Sequence, residues 1–105
     1  MEVRNGSYVA RTILHQLGGP GRLKAMLGAR NFLLDKDALE FSIPSNFAKH
    51  SINRLRIRLN WNDLYVVTFS RVRAGKTKVL GEFSDIYADT LKNVIERETG
   101  LYLSL

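Results

Sequence analysis

Polar and apolar residues alternate strictly through Arg54-Leu55-Arg56-Ile57-Arg58-Leu59. Alternation at period 2 predicts a strand with three arginines on one face and three aliphatics on the other. That strand is expected over residues 53–60, with partners over residues 64–73 and 76–83. Trp61-Asn62-Asp63 and Ala74-Gly75 supply the turns of this meander. Register decides what the arginines face. With Leu59 opposite Tyr65, the side chains of Leu55, Ile57, Leu59, Tyr65, Val67 and Phe69 share a core face. Arg54, Arg56, Arg58, Thr68 and Ser70 then share the other. A slip by one residue would set the arginines beside that core, at a cost on the order of several kcal/mol for each one buried unpaired. The first register is therefore expected.

Upstream, Val9, Ile13 and Leu17 recur at helical spacing and predict a helix over residues 8–17, with Ser7 as N-cap. Gly18-Gly19 ends it, and Pro20 starts a short second helix over residues 21–27. Its Leu23, Met26 and Leu27 face inward, Arg22 and Lys24 outward, and Gly28 closes it. A hairpin is expected next, with strands over residues 31–34 and 39–43 joined by Asp35-Lys36-Asp37. Leu39, Phe41 and Ile43 share a face, Pro44-Ser45-Asn46 breaks the pattern, and residues 47–51 read as a helical turn or a loop. Downstream, Tyr87, Leu91, Val94 and Ile95 form the stripe of a helix over residues 85–98, capped by Ser84 or Asp85 and stopped by Gly100. The apolar end, residues 101–105, is expected to dock on the sheet or add a strand. The order predicts one α+β domain over residues 1–105: an antiparallel sheet of about five strands, with two N-terminal helices and one C-terminal helix packed on one face.

Composition narrows the class. The chain has 105 residues, 45% of them apolar and 25% charged. That suffices for one modest core and argues against disorder. It holds no cysteine, which excludes a disulfide, a thiolate nucleophile and a zinc–thiolate site. No apolar run approaches the length of a membrane span. The first residues lack an apolar signal core, so a cytoplasmic setting is expected.

Charge is unevenly spread. Residues 49–78 carry eight basic side chains and one acid, a net +7 against +6 for the whole chain, which leaves the remainder near −1. Such a segment suits an anionic partner. Lysine and arginine at strand spacing can track phosphates, and Trp61 in the adjoining turn can stack on a base or anchor a partner. The alternatives are a plain solvated sheet face and a Trp61 that caps the edge of the core.

Other candidates read more simply. Gly75-Lys76-Thr77 resembles the tail of a phosphate-binding loop, but Ser70 stands where that motif needs its first glycine and a strand follows. A hairpin turn is expected there. Gly18-Gly19-Pro20-Gly21 reads as a tight helix connection, not as an anion cradle or the turn of a helix-turn-helix. His15 and His50 lack partners at metal-ligand spacing. His15 suits a helix C-terminus, and His50 extends the basic patch. Asp35, Asp37 and Glu40 read as solvated turn and strand-end residues, not as a divalent-ion site. No catalytic constellation, cofactor motif or metal site emerges.

The pattern Ile13-Leu14-x-Gln16-Leu17-Gly18-Gly19, Met26-Leu27-Gly28-Ala29, Asp63-x-Tyr65-x-Val67-x-Phe69, Tyr87-Ala88-Asp89-x-Leu91 and Thr99-Gly100-Leu101-Tyr102-Leu103-Ser104-Leu105 resembles a set of small uncharacterised proteins of bacteriophages and integrated mobile elements. The resemblance covers nearly the whole chain, and its motifs are structural. It implies an accessory protein working by binding inside a bacterial cell, and it carries over no functional residue.

The expectation is a non-enzymatic protein, without cofactor, that binds DNA or RNA through Arg54, Arg56, Arg58, Arg71, Arg73, Lys76 and Lys78 on the meander. The alternative is a protein-binding inhibitor or modulator of a host or anti-phage defence system, anchored by Trp61. No membrane contact is expected. A homodimer through the apolar tail or a sheet edge stays open.

Overall fold

In the computed structural model, residues 6–103 are described, with side chains from Tyr8 onward. The central strands, β3 (Arg54–Leu59) and β4 (Tyr65–Arg73), pair antiparallel with Leu59 opposite Tyr65, Ile57 opposite Val67 and Leu55 opposite Phe69. This is the expected register. On the other side of β3 lies β2 (Ala38–Ser42), with Leu39 opposite Ile57 and Phe41 opposite Leu55. The edges are β1 (Arg30–Leu34) and β5 (Lys76–Ile86), so the sheet is a five-stranded antiparallel meander in chain order.

Period-2 parity runs unbroken across β2, β3 and β4. Leu39, Phe41, Leu55, Ile57, Tyr65, Val67 and Phe69 are all buried. They form one cluster with Val9, Ile13 and Leu17 of α1 (Gly6–Gln16), Leu23 and Leu27 of α2 (Gly19–Leu27), and Leu91, Val94 and Ile95 of α3 (Leu91–Thr99). The Tyr65 hydroxyl donates to Gln16 Oε1 at 2.8 Å, which satisfies a phenol whose pKa burial pushes up. The expected Ser7 cap falls on a side chain outside the described set.

The C-terminal helix departs from expectation. It begins at Leu91, not at residue 85, because β5 continues to Ile86, which pairs with Tyr65. One residue is extra in β5 at that point, where Ser84 and Asp85 stand against the single Val66, and Asp85 there adopts φ 58°. Ser84 and Asp85 thus belong to an irregular strand end and not to a helix cap. A single 3-10 turn at Ala88–Thr90 bridges to α3. Tyr87, placed on the buried stripe by the spacing, is 61% exposed as a result.

Beyond Gly100, the described residues 101–103 add no strand, and Leu103 docks through hydrogen bonds to α2 and α3 residues. Leu103 is fully buried, its N–H donates to Glu96 Oε2 at 2.7 Å, and its carbonyl accepts from Arg22 Nη1 at 2.9 Å. Ser104 and Leu105 lie outside the described residues. No helix among the described residues is long and apolar enough to cross a membrane.

Gly28 joins α2 to the sheet. It ends the helix at φ 71°, its N–H reaching the carbonyls of Leu23 and Lys24. A β-carbon built there would sit 3.0 Å from Pro44 Cδ and 3.3 Å from the Phe47 ring. Gly28→Ala therefore meets both left-handed strain, about 1–2 kcal/mol, and crowding. We expect a stability loss of at least about that size in urea or thermal unfolding, and an unchanged midpoint would contradict this account of the joint.

Candidate nucleic-acid interface

The seven cations singled out by sequence do not share a face. Arg54, Arg56 and Arg58 lie on the face away from the core, in rows with β2 and β4: Ser42–Arg54–Ser70, Glu40–Arg56–Thr68 and Ala38–Arg58–Val66. Arg71 and Arg73 have the parity of Phe69, so they project from the opposite, core-bearing face. Lys78 stands directly across from Arg71, and Lys76 across from Arg73.

The arginine row is largely neutralised. Arg56 donates through Nη1 to Glu40 Oε1 at 3.1 Å and through Nη2 to Asp35 Oδ2 at 2.9 Å. Arg54 Nε lies 3.5 Å from the other oxygen of Glu40. In the next column, Thr68 Oγ1 donates to Glu82 Oε2 at 2.9 Å. The Arg56 hydrogen bond, with that of the Lys36 N–H, holds the Asp35 carboxyl below its ordinary value of 3.8. Arg56 is raised in turn, its bond to Asp35 outweighing partial burial. Asp35 and Glu40 are therefore not merely solvated turn and strand-end residues, because sheet register brings both onto the arginines. Arg58 makes no ion pair among the described residues, yet its strand neighbours Ala38 and Val66 are buried on that same face. An arginine at this register has a stem long enough to cover such neighbours.

The other four cations differ. Pairing of β3 with β4 stops at Arg54 opposite Ser70. Beyond it, the Asn53 side chain clasps the root of the hairpin: Nδ2 donates to the Val72 carbonyl at 2.9 Å, and Oδ1 accepts from the Val72 N–H at 2.7 Å. From there the chain runs as a two-stranded arm over residues 71–78, reversing at Ala74 (φ 53°) and Gly75 (φ 76°). Two successive left-handed residues make the tight hairpin turn expected of this dipeptide position. Arg71, Arg73, Lys76 and Lys78 occupy one face of the arm in two like-charged cross-strand pairs. Residues 71–81 contain no acid, and none of the four makes an ion pair among the described residues.

At the root of the arm lies an open hollow of about 400 Å³. Ile52 and Phe69, both buried, line it with Leu80 and Gly81. Arg71, Lys78, His50 and Glu98 supply its polar lining. Arg71 Nη1 also reaches the His50 carbonyl at 3.5 Å. His50 and Ser51 both hold φ 58°, strain that a bend of the chain concentrates here. The sequence offered no signal for this hollow beyond the basic character of its residues.

Trp61 sits at the far end of β4, some eight strand residues from the arm tip, or roughly 27 Å. It is 99% exposed, so it does not cap the core edge. Its turn is tightened by Asn60 Oδ1, which accepts from the N–H groups of Asn62 and Leu64 at 2.9 and 3.1 Å. Both histidines are exposed, His15 in the last turn of α1. Comparison with family models, curated proteins and solved structures returns no match.

The Asp35 pairing has a pH signature. A carboxylate lowered in the folded state stabilises above its ordinary value of 3.8, and that contribution is lost as pH falls through the lowered folded value. Thermal melts of the wild type should therefore fall more steeply between about pH 5 and pH 2 than those of Asp35→Asn. Parallel curves would remove Asp35 from the account.

Proposed function

We propose that this protein binds nucleic acid through the β4–β5 arm, with Arg71, Arg73, Lys76 and Lys78 on phosphates. One observation carries the reading: two like-charged pairs stand directly opposite each other on one face of a ribbon that holds no acid. Each such pair destabilises the hairpin. A merely solvated ribbon has threonine, serine or an opposite charge available at the same positions, without that cost. A polyphosphate strand relieves the repulsion by replacing condensed counterions with fixed cations. Arg54 and Arg56 are left out of the contact set because Glu40 and Asp35 already hold them. The setting belongs to the same proposal: an accessory protein of a phage or mobile element, inside a bacterial cell.

Four phosphate contacts give a slope of log affinity against log salt near −3 for a single strand or somewhat steeper for a duplex, about −0.7 to −0.9 per contact. Fluorescence anisotropy with labelled DNA and RNA at low and rising salt should show it. Arg73→Ala and Lys76→Ala should each weaken binding and reduce the slope by nearly one, while Arg54→Ala leaves the slope unchanged. Absence of binding at low salt, or equal losses from Arg54→Ala and Arg73→Ala, would sink the reading.

A second reading rests on Trp61, whose whole ring is in water on a hydrogen-bonded turn far from the arm. Large exposed aromatics of this kind are favoured as anchors in protein interfaces. In this reading the protein modulates a host or defence protein. In a nuclease-treated host lysate, wild-type protein should retain a partner that Trp61→Ala loses. Identical retention by both would dismiss Trp61 as an anchor.

A further inference from the structure

The hollow at the root of the arm has features that the arm's phosphate contacts do not use. We propose that it seats one unstacked nucleobase bearing an amino group, so that the arm's ligand is single-stranded. This rests on the nucleic-acid reading of the arm and adds the strandedness and the base preference.

Three observations converge on it. First, an apolar surface and two phosphate-ready cations share one depression: Ile52, Phe69 and Leu80 beside Arg71 and Lys78. A volume of about 400 Å³ lies within the range of small-ligand pockets, roughly 300–1,000 Å³. The chemistry matches a base attached to its phosphate, a flat apolar face at one end and an anion at the other. A base inside a duplex cannot reach such a place, since both its faces are stacked.

Second, the lining of the depression includes a glycine, Gly81. It lies opposite Phe69 in the middle of β5 and is not among the glycines with positive φ. The backbone there does not require glycine. An added β-carbon would meet only the Phe83 ring, at 3.3 Å. Glycine inside a strand weakens it and often marks a close approach by a ligand. Phe83 is itself fixed, with its ring edge-on to Phe69 at 5.9 Å and the Arg97 guanidinium 5.6 Å from its centroid.

Third, Glu98 places a hydrogen-bond acceptor among these cations. Its Oε2 accepts from Arg97 Nε at 2.9 Å, and its other oxygen has no partner among the described residues. A carboxylate at this position accepts from an exocyclic amine. Cytosine presents a 4-amino donor where thymine presents a carbonyl oxygen, so the free oxygen attracts the first and repels the second. Arg71 and Lys78 keep the surroundings positive enough for a phosphate to approach despite the acid.

The test compares labelled oligo(dC), oligo(dT) and a mixed-sequence duplex of equal length near neutral pH, by anisotropy. Oligo(dC) should bind at least about fivefold more tightly than oligo(dT), the scale of one base-edge hydrogen bond. Gly81→Val, which adds a branched side chain to the hollow's lining, should weaken oligo(dC) at least about fivefold, the lower end of what one stacked base contributes, and leave the duplex unchanged. Glu98→Ala removes a surface acid and should not impair folding; it should erase the preference for oligo(dC) over oligo(dT) even if it strengthens both. If the wild type binds strands and duplex equally, and neither variant changes the oligo(dC) to oligo(dT) ratio while Arg73→Ala still weakens everything, the hollow is not a base site and the arm reading stands. If no probe binds at low salt, both readings fall together.

Discussion

Leu59 stands opposite Tyr65 and Arg58 opposite Val66, and a shift of one residue would exchange the two faces of the central strands. Leu55, Ile57 and Leu59 of the slipped β3 would then meet water, and its arginines would have to enter the cluster formed with α1, α2 and α3. Burial of such side chains contributes about 1.5–3 kcal/mol each, so their loss alone is on the order of a domain's whole stability of about 5–15 kcal/mol, before the cost of burying arginine is added. The Asn60 side chain enforces the same parity locally by holding the turn, since its Oδ1 fixes the N–H groups of Asn62 and Leu64. All other placements in the molecule inherit that parity.

One inheritance is electrostatic. Along β4 the parity that sends Tyr65, Val67 and Phe69 into the core also sends Arg71 and Arg73 to that side, where the strand has run past its β3 partner. The chain thus sorts its cations into two classes. Arg54 and Arg56 face strand β2 and the turn before it, where Glu40 and Asp35 complete them. Arginine is the suitable residue there: its fork can hold two carboxylates at once, as Arg56 does. The arm cations face each other. Equal residue types in one basic segment therefore have different energetics: Arg54 and Arg56 are paired, whereas Arg58 and the four arm cations make no ion pair among the described residues.

The strand alternation, the register and the core face were legible because they follow from period-2 patterning and from the cost of burying arginine. The hairpin at Ala74-Gly75 was legible from glycine. What escaped depends on partners distant in sequence. Nothing local tells that Asp35 and Glu40 will lie against Arg56, since a solvated turn has the same composition. Ser84-Asp85 has the composition of a helix start, and tertiary pairing of Ile86 with Tyr65 overrides it. The division of the seven cations was derivable by counting parity from Phe69 to Arg71, but their adjacency in sequence suggested a single patch. The hollow was not derivable, because Ile52 and Phe69 meet Leu80 and Glu98 only through the folded chain.

The bend at His50-Ser51 links these levels. Two consecutive non-glycine residues at φ 58° cost on the order of 1–3 kcal/mol each, and nothing in their side chains requires it. The return lies immediately downstream. The bend buries Ile52, closes the Ile43 N–H onto the Asn53 carbonyl at 3.0 Å, and points the Asn53 amide at both backbone groups of Val72. Without Asn53, the N–H and carbonyl of Val72 would have no strand beside them, and the arm would join the sheet through β5 alone. The bend at His50 and Ser51 therefore accompanies the hydrogen bonds at the arm's root, and it brings the His50 carbonyl beside the Arg71 guanidinium. Fixing the arm and shaping the hollow are thus consequences of one bend in the chain.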